Sequence, residues 1–153
     1  MTVRILDIVF ETMVDGPGLR TSIYFAGCKH HCKGCHNPQS WDINGGYPMP
    51  IEHILKLIKE DEFANVTFSG GDCFFQIDGA VELAKRIKEE TDKTIWVYTG
   101  YTYEKIASDE NLSRLLPYID VLVDGPFIEE LKTTEIPFVG SSNQRKIKLT
   151  QNG

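Results

Sequence analysis

Three of the chain's four cysteines, Cys28, Cys32 and Cys35, fall within GCKHHCKGCHNP at residues 27–38. The C-x3-C-x2-C spacing puts three thiols on one short loop. Thiolates hold zinc and iron–sulfur clusters. A closed metal site wants four ligands, so three readings stand side by side. Zinc could take a fourth ligand from His30, His31 or His36. An ordinary closed cluster would need Cys73, the one cysteine left, and would make the protein an electron carrier. A cluster on three cysteines would leave one iron free for an exogenous ligand.

The second stretch with chemical promise is Ser69-Gly70-Gly71-Asp72. Paired glycines let backbone come close to a ligand. A helix starting just after the turn would aim its N-terminus at an anionic group such as a carboxylate. Asp72 and the turn's carbonyls can accept hydrogen bonds from an amine. A free amino acid end carries both groups. In isolation such a turn is more often a plain strand-to-helix connection. Cys73, directly after it, reads better as a small buried hydrophobe than as a ligand, because a closed cluster would leave the turn without a ligand to serve. His30 and His31 read as solvated loop residues, and Lys29 and Lys33 as solvated loop charges. His53 falls on the polar face of its helix. Trp41, Trp96 and Tyr98 read as core or cover residues. Asp15 either orients the cysteine loop or caps a turn.

The elements that must position these residues follow from periodicity. VRILDIVF (3–10) and RTSIYFAG (20–27) read as strands, joined through the VDGPG turn (14–18). Residues 28–50 form a long loop, a length that in a compact domain is usually functional or disordered. Ile51, Ile54, Leu55 and Ile58 mark one face of a helix over 51–60. A strand at 65–72, a helix at 77–91, a strand at 93–101, one or two helical pieces at 102–118, a strand at 119–127 and a last strand at 144–149 complete the chain. In the helix at 77–91 the buried face is expected to carry Ile77, Ala80, Val81, Ala84 and Ile87. Strand–loop–helix repetition argues for an α/β protein with mostly parallel strands, an open, truncated (β/α) partial barrel in one domain spanning 1–153. In such architectures the strand C-termini lie at one end and carry the site. Gly27-Cys28, Ser69–Asp72, Thr99-Gly100 and Asp124-Gly125 should therefore meet around one mouth.

Length, composition and charge narrow the class further. A 153-residue chain has room for a modest core. Its net charge of −6 disfavours free nucleic acid as a partner. No apolar run reaches the ~18 residues of a membrane span. The N-terminus lacks the pattern of a secretory signal, so a cytoplasmic location is expected. Clustered cysteines there suggest metal chemistry rather than disulfides.

Taken together, C-x3-C-x2-C and a Gly-Gly-acid turn after the next strand resemble the radical S-adenosylmethionine (SAM) enzymes. VDGPGLRTSIYFAGCKHHCKGCHNPQSWD resembles the opening of the glycyl-radical-enzyme activases. WVYTGYTYEKI, VLVDGPFIEELK and GSSNQR resemble the branch that serves class III anaerobic ribonucleotide reductase. The resemblance runs from about residue 5 to about residue 148. It implies a radical SAM oxidoreductase with a [4Fe–4S] cluster on Cys28, Cys32 and Cys35 and SAM chelated at the open iron. Reductive cleavage of SAM would then allow hydrogen abstraction from a glycine of the reductase. Gly34 and His36 would lie along the adenine. Gly70, Gly71 and Asp72 would receive the methionyl amine, and Thr99 and Asp124 would line the pocket. The implied partners are the large subunit of the anaerobic reductase and a small electron donor such as flavodoxin. Activation of another glycyl radical enzyme, of the pyruvate formate-lyase type, is the nearest alternative.

Overall fold

The computed structural model describes residues 1–35 and 38–151. Its seven strands form one open sheet in the order β3-β1-β2-β4-β5-β6-β7. The strands are β1 (Thr2–Thr12), β2 (Arg20–Phe25), β3 (Tyr47–Pro50), β4 (Asn65–Gly70), β5 (Ile95–Tyr98), β6 (Val121–Asp124) and β7 (Arg145–Lys148). The tight turn after β1 makes β1 and β2 an antiparallel hairpin. From β2 onward the crossovers are long enough to return the chain in the same direction, so β2, β4, β5 and β6 pair parallel. β3 and β7 then add antiparallel at the two edges. The expectation of mostly parallel strands holds for the centre of the sheet and fails at its edges.

Helices α1 (Ile51–Glu60), α2 (Ile77–Glu90) and α3 (Tyr103–Ala107) alternate with the strands; a 3-10 turn at Cys73–Gln76 leads into α2 and another at Leu112–Tyr118 follows α3. α1 buries Ile51, Ile54, Leu55 and Ile58, the face its spacing marks. α2 buries Gly79, Ala80, Leu83, Ala84 and Ile87, while Ile77 and Val81 are only partly covered. The expected stripe is thus rotated toward Leu83. Gly79 is what lets α2 lie against Val3, because a Cβ there would strike the valine side chain. These faces meet Ile23, Phe25, Val66, Phe68, Ile95, Val97 and Leu122 in the main core.

The alternate residues of the same strands face the other side of the sheet. There Trp96, Val121 and Val123 pack with Phe138 and Val139 in a smaller cluster. Arg20 is buried below them, with its guanidinium 5.4 Å from the Trp96 ring centroid. It donates to Thr67 Oγ1 at 2.8 Å, Pro17 O at 3.0 Å and Val66 O at 3.0 Å. Asp15, beside that turn, accepts from the Tyr24 hydroxyl and, through its carbonyl, from Thr67 Oγ1. Asp15 therefore braces the turn against the sheet. His53 is exposed on α1, as expected.

Candidate functional site

A cavity of about 220 Å³ opens at the C-terminal ends of the parallel strands. Cys28, Cys32 and Cys35 line it together with Ser69, Gly70, Gly71, Thr99, Gly100 and Gly125. The loops after β2, β4, β5 and β6 therefore meet at one mouth. Hydrogen bonds past the strand ends hold this mouth together. Gly71 N donates to Phe25 O and Asp72 N to Gly27 O, both at 2.8 Å. Gly27 N donates to Ser40 O at 2.7 Å and Cys28 N to Trp41 O at 3.1 Å, which ties both ends of the cysteine loop. The approach of the Gly-Gly turn to β2 is what demands glycine. A Cβ on Gly71 would lie 2.5 Å from Gly27 O, which is backbone and cannot swing away.

Within the loop, Cys35 N donates to Cys32 O at 3.1 Å, closing a turn with Gly34 at φ 76°. A positive φ at the third position of a turn suits glycine. Gly34 is exposed and outside the cavity lining, so its visible work is to turn Cys35 toward Cys32. His36, assigned to the adenine by resemblance, lies outside the described residues. Burial pushes the Cys28 thiol up to about 11. A metal would have to displace that proton on binding.

Cys73 takes no part in the cavity. It is 1% exposed within the main core, and burial raises its thiol well above the usual range. Among the described residues no three His, Cys, Asp or Glu side chains are arranged to hold a metal ion. The three thiols line a volume rather than meeting at a point. Three thiols lining one cavity are the donor type that iron–sulfur clusters take.

Asp72 and Asp124, the two acidic residues expected at the ligand, are both outside the cavity lining. Asp72 is 1% exposed. Its Oδ2 accepts from Thr99 Oγ1 at 2.7 Å, His30 Nε2 at 2.8 Å and Gly100 N at 2.9 Å, and its Oδ1 accepts from Phe74 N at 3.1 Å. Asp124 is equally buried and accepts from Tyr103 N at 2.7 Å and Arg145 Nε at 3.0 Å. Both carboxylates sit behind the wall and brace the loops that form it. Thr99 does line the cavity, and its hydroxyl is donated to Asp72.

His30 also departs from expectation. It is a part-buried wall residue rather than a solvated one, whereas His31 is exposed and stacks on Trp41 at 4.4 Å. Tyr98, read from sequence as core or cover, lines the cavity. So do Phe127, Gly140 and Gln144. The Gln144 side chain accepts from Gly140 N at 2.7 Å and donates to Gly125 O at 3.0 Å, clasping two cavity loops. GSSNQR was a recognisable stretch, but only the structure gives its glutamine this task.

A protein family described as a 4Fe-4S single cluster domain matches residues 14–147. Among curated relatives, an anaerobic ribonucleoside-triphosphate reductase-activating protein of Vibrio cholerae is 38% identical over 86% of this chain and 89% of its own. Proteins of the same name from Pasteurella multocida and Escherichia coli are 37% and 33% identical, over 91% and 86% of this chain and 93% and 90% of theirs. With a three-thiol cavity at its strand ends and relatives matched over most of both lengths, the chain belongs to the family of anaerobic ribonucleoside-triphosphate reductase-activating proteins.

Proposed function

We propose that this protein is a single-domain, cytoplasmic radical SAM oxidoreductase that installs a glycyl radical on the large subunit of anaerobic ribonucleotide reductase. The open sheet serves as a truncated partial barrel of that enzyme class. The observation that carries the reading is the division among the cysteines. Three line the cavity, while Cys73 is withdrawn into the core and leaves the fourth ligand position to an exogenous group. Cys28, Cys32 and Cys35 hold a [4Fe–4S] cluster. When bound, the cluster and SAM supply one-electron reductive cleavage and the hydrogen abstraction that follows.

This chain's own residues bind and orient. Gly70 and Gly71 present backbone to the amino acid end of SAM, and Asp72 stiffens them from behind. By the family resemblance, the adenine contact is assigned to Gly34 and His36. Thr99 and Gly125 close the floor, and the Asp124 carboxylate fixes the β6 loop through Arg145. Phe127 and Tyr98 provide apolar walls that exclude water. An open sheet leaves the mouth uncovered, so the reductase completes the enclosure when it delivers its glycine. A small flavodoxin-like protein supplies the electron.

The test is anaerobic reconstitution with iron and sulfide, followed by reduction, SAM and the reductase. The expected results are about four irons per chain, 5′-deoxyadenosine, and a glycyl doublet by EPR. A loaded, reduced protein that forms no 5′-deoxyadenosine would overturn the reading. A doublet on a pyruvate formate-lyase-type enzyme, with none on the reductase, would redirect it to that partner.

A further inference from the structure

We propose that His30, midway between Cys28 and Cys32, is the positioning residue that docks the cysteine loop onto the strand ends, with Asp72 as its anchor and Gly100 as its seat. This rests on the cluster site proposed above. A carboxylate accepts and does not donate, so His30 Nε2 carries the hydrogen of the 2.8 Å bond to Asp72 Oδ2. The same oxygen takes the Thr99 hydroxyl and the Gly100 N–H. One buried atom thus joins the cysteine loop to the ends of β4 and β5. The His30 ring packs against Phe75 at 5.1 Å and, in a T-shaped arrangement, against Tyr101 at 4.6 Å. Its side chain is 16% exposed.

Gly100 explains how the ring fits. Its φ is not among the positive values, so its backbone does not call for glycine. A Cβ there would lie 2.5 Å from His30 Cδ2 and 2.8 Å from Cγ. Room for this imidazole is what Gly100 supplies. Cys28 and Cys32 flank the docked residue, so the orientation of both thiols toward the cavity depends on it. Asp72 acts through His30, Thr99 and Gly100 rather than on a ligand.

Two measurements on the full chain test this. The first is thermal unfolding of His30→Ala, Gly100→Ala and the double variant. Gly100→Ala should lower Tm by ~3–6 °C in the wild-type background and by no more than ~1 °C when His30 is already alanine. Equal losses in both backgrounds would overturn the seat. The second is EPR of the reconstituted, reduced protein. His30→Ala should retain iron yet show an altered reduced-cluster line shape and about tenfold weaker half-saturation by SAM. His30→Gln, which keeps a donor at the same reach, should return toward wild type. A His30→Ala spectrum and SAM response identical to wild type, or a glutamine variant no better than alanine, would overturn the positioning role. A wild-type protein that ignores SAM would fail the proposed function alone, and the unfolding cycle would still judge the His30 seat.

Discussion

Replacing Cys73 with alanine separates an open cluster from a closed one. Cys73 lies one residue past the Gly-Gly-Asp turn, near enough in sequence to supply a fourth thiolate. Its surroundings oppose that role. It is 1% exposed, packs in the main core, and burial holds it as a protonated thiol where a ligand must be a thiolate. The cost of Cys73→Ala then comes from packing alone. A void of about 20 Å³ costs about 0.5 kcal/mol, and the lost burial of a methylene-sized group about 0.8 kcal/mol. The total, near 1 kcal/mol, lowers Tm by ~2–4 °C. The assay pairs calorimetry with iron content and EPR of the reduced, reconstituted variant, with and without SAM. Iron per chain and the SAM-induced spectral change should match wild type. Loss of a bound iron, or a response to SAM that only the variant shows, would refute the packing argument and make Cys73 a ligand.

Gly71→Ala should cost ~1–3 kcal/mol and depress iron loading, because its Cβ meets the backbone of Gly27 at 2.5 Å and of Ser40 at 2.9 Å. Urea unfolding and iron analysis check this, and full loading at wild-type stability would refute it. Arg20→Met should cost about 3 kcal/mol by removing the guanidinium's hydrogen bonds to Thr67 Oγ1, Pro17 O and Val66 O. An unchanged urea midpoint would show that the guanidinium is dispensable beneath Trp96. Asp61 accepts from Phe63 N and Ala64 N, both at 3.0 Å, which holds its carboxyl below the usual carboxylate range. A lowered folded pKa contributes stability that is present above the unfolded value of about 3.9 and is lost as pH falls through the folded value. Asp61→Asn keeps an acceptor without the titration, so the acid limb of its stability profile should be shallower than wild type below about pH 4. Superimposable acid limbs would refute the assignment.

Much of the frame was legible because local pattern and tertiary demand agree. The α1 stripe of Ile51, Ile54, Leu55 and Ile58 is a helix in sequence and a buried helix in the fold. The strand ends at Cys28, Ser69, Thr99 and Asp124 could be gathered at one mouth because parallel strands share a direction. β3 was not legible. Tyr47-Pro48-Met49-Pro50 carries two prolines, which argue against a strand except at an edge, and the edge beside β1 is where it lies. Residues 102–118 resolve into α3 and a 3-10 turn, with Pro117 inside the second piece.

The site shows where sequence reading stops. Spacing brings a loop to the mouth but does not say which way each polar side chain points. An acid after two glycines reads as an acceptor for a ligand amine. The chain instead turns Asp72 inward to four protein donors and leaves the glycines to face the cavity. That arrangement follows from the strand crossover. Once Gly71 and Asp72 donate their N–H groups to Phe25 O and Gly27 O, the turn lies flat on β2, and the Asp72 side chain reaches the loop after β5. His30 was equally opaque, because its partner is 42 residues away and its seat is defined by the absence of a side chain at Gly100. The cavity is therefore lined by thiols, glycine backbone and the side chains of Tyr98, Thr99, Phe127 and Gln144, while the buried carboxylates of Asp72 and Asp124 brace the loops behind it.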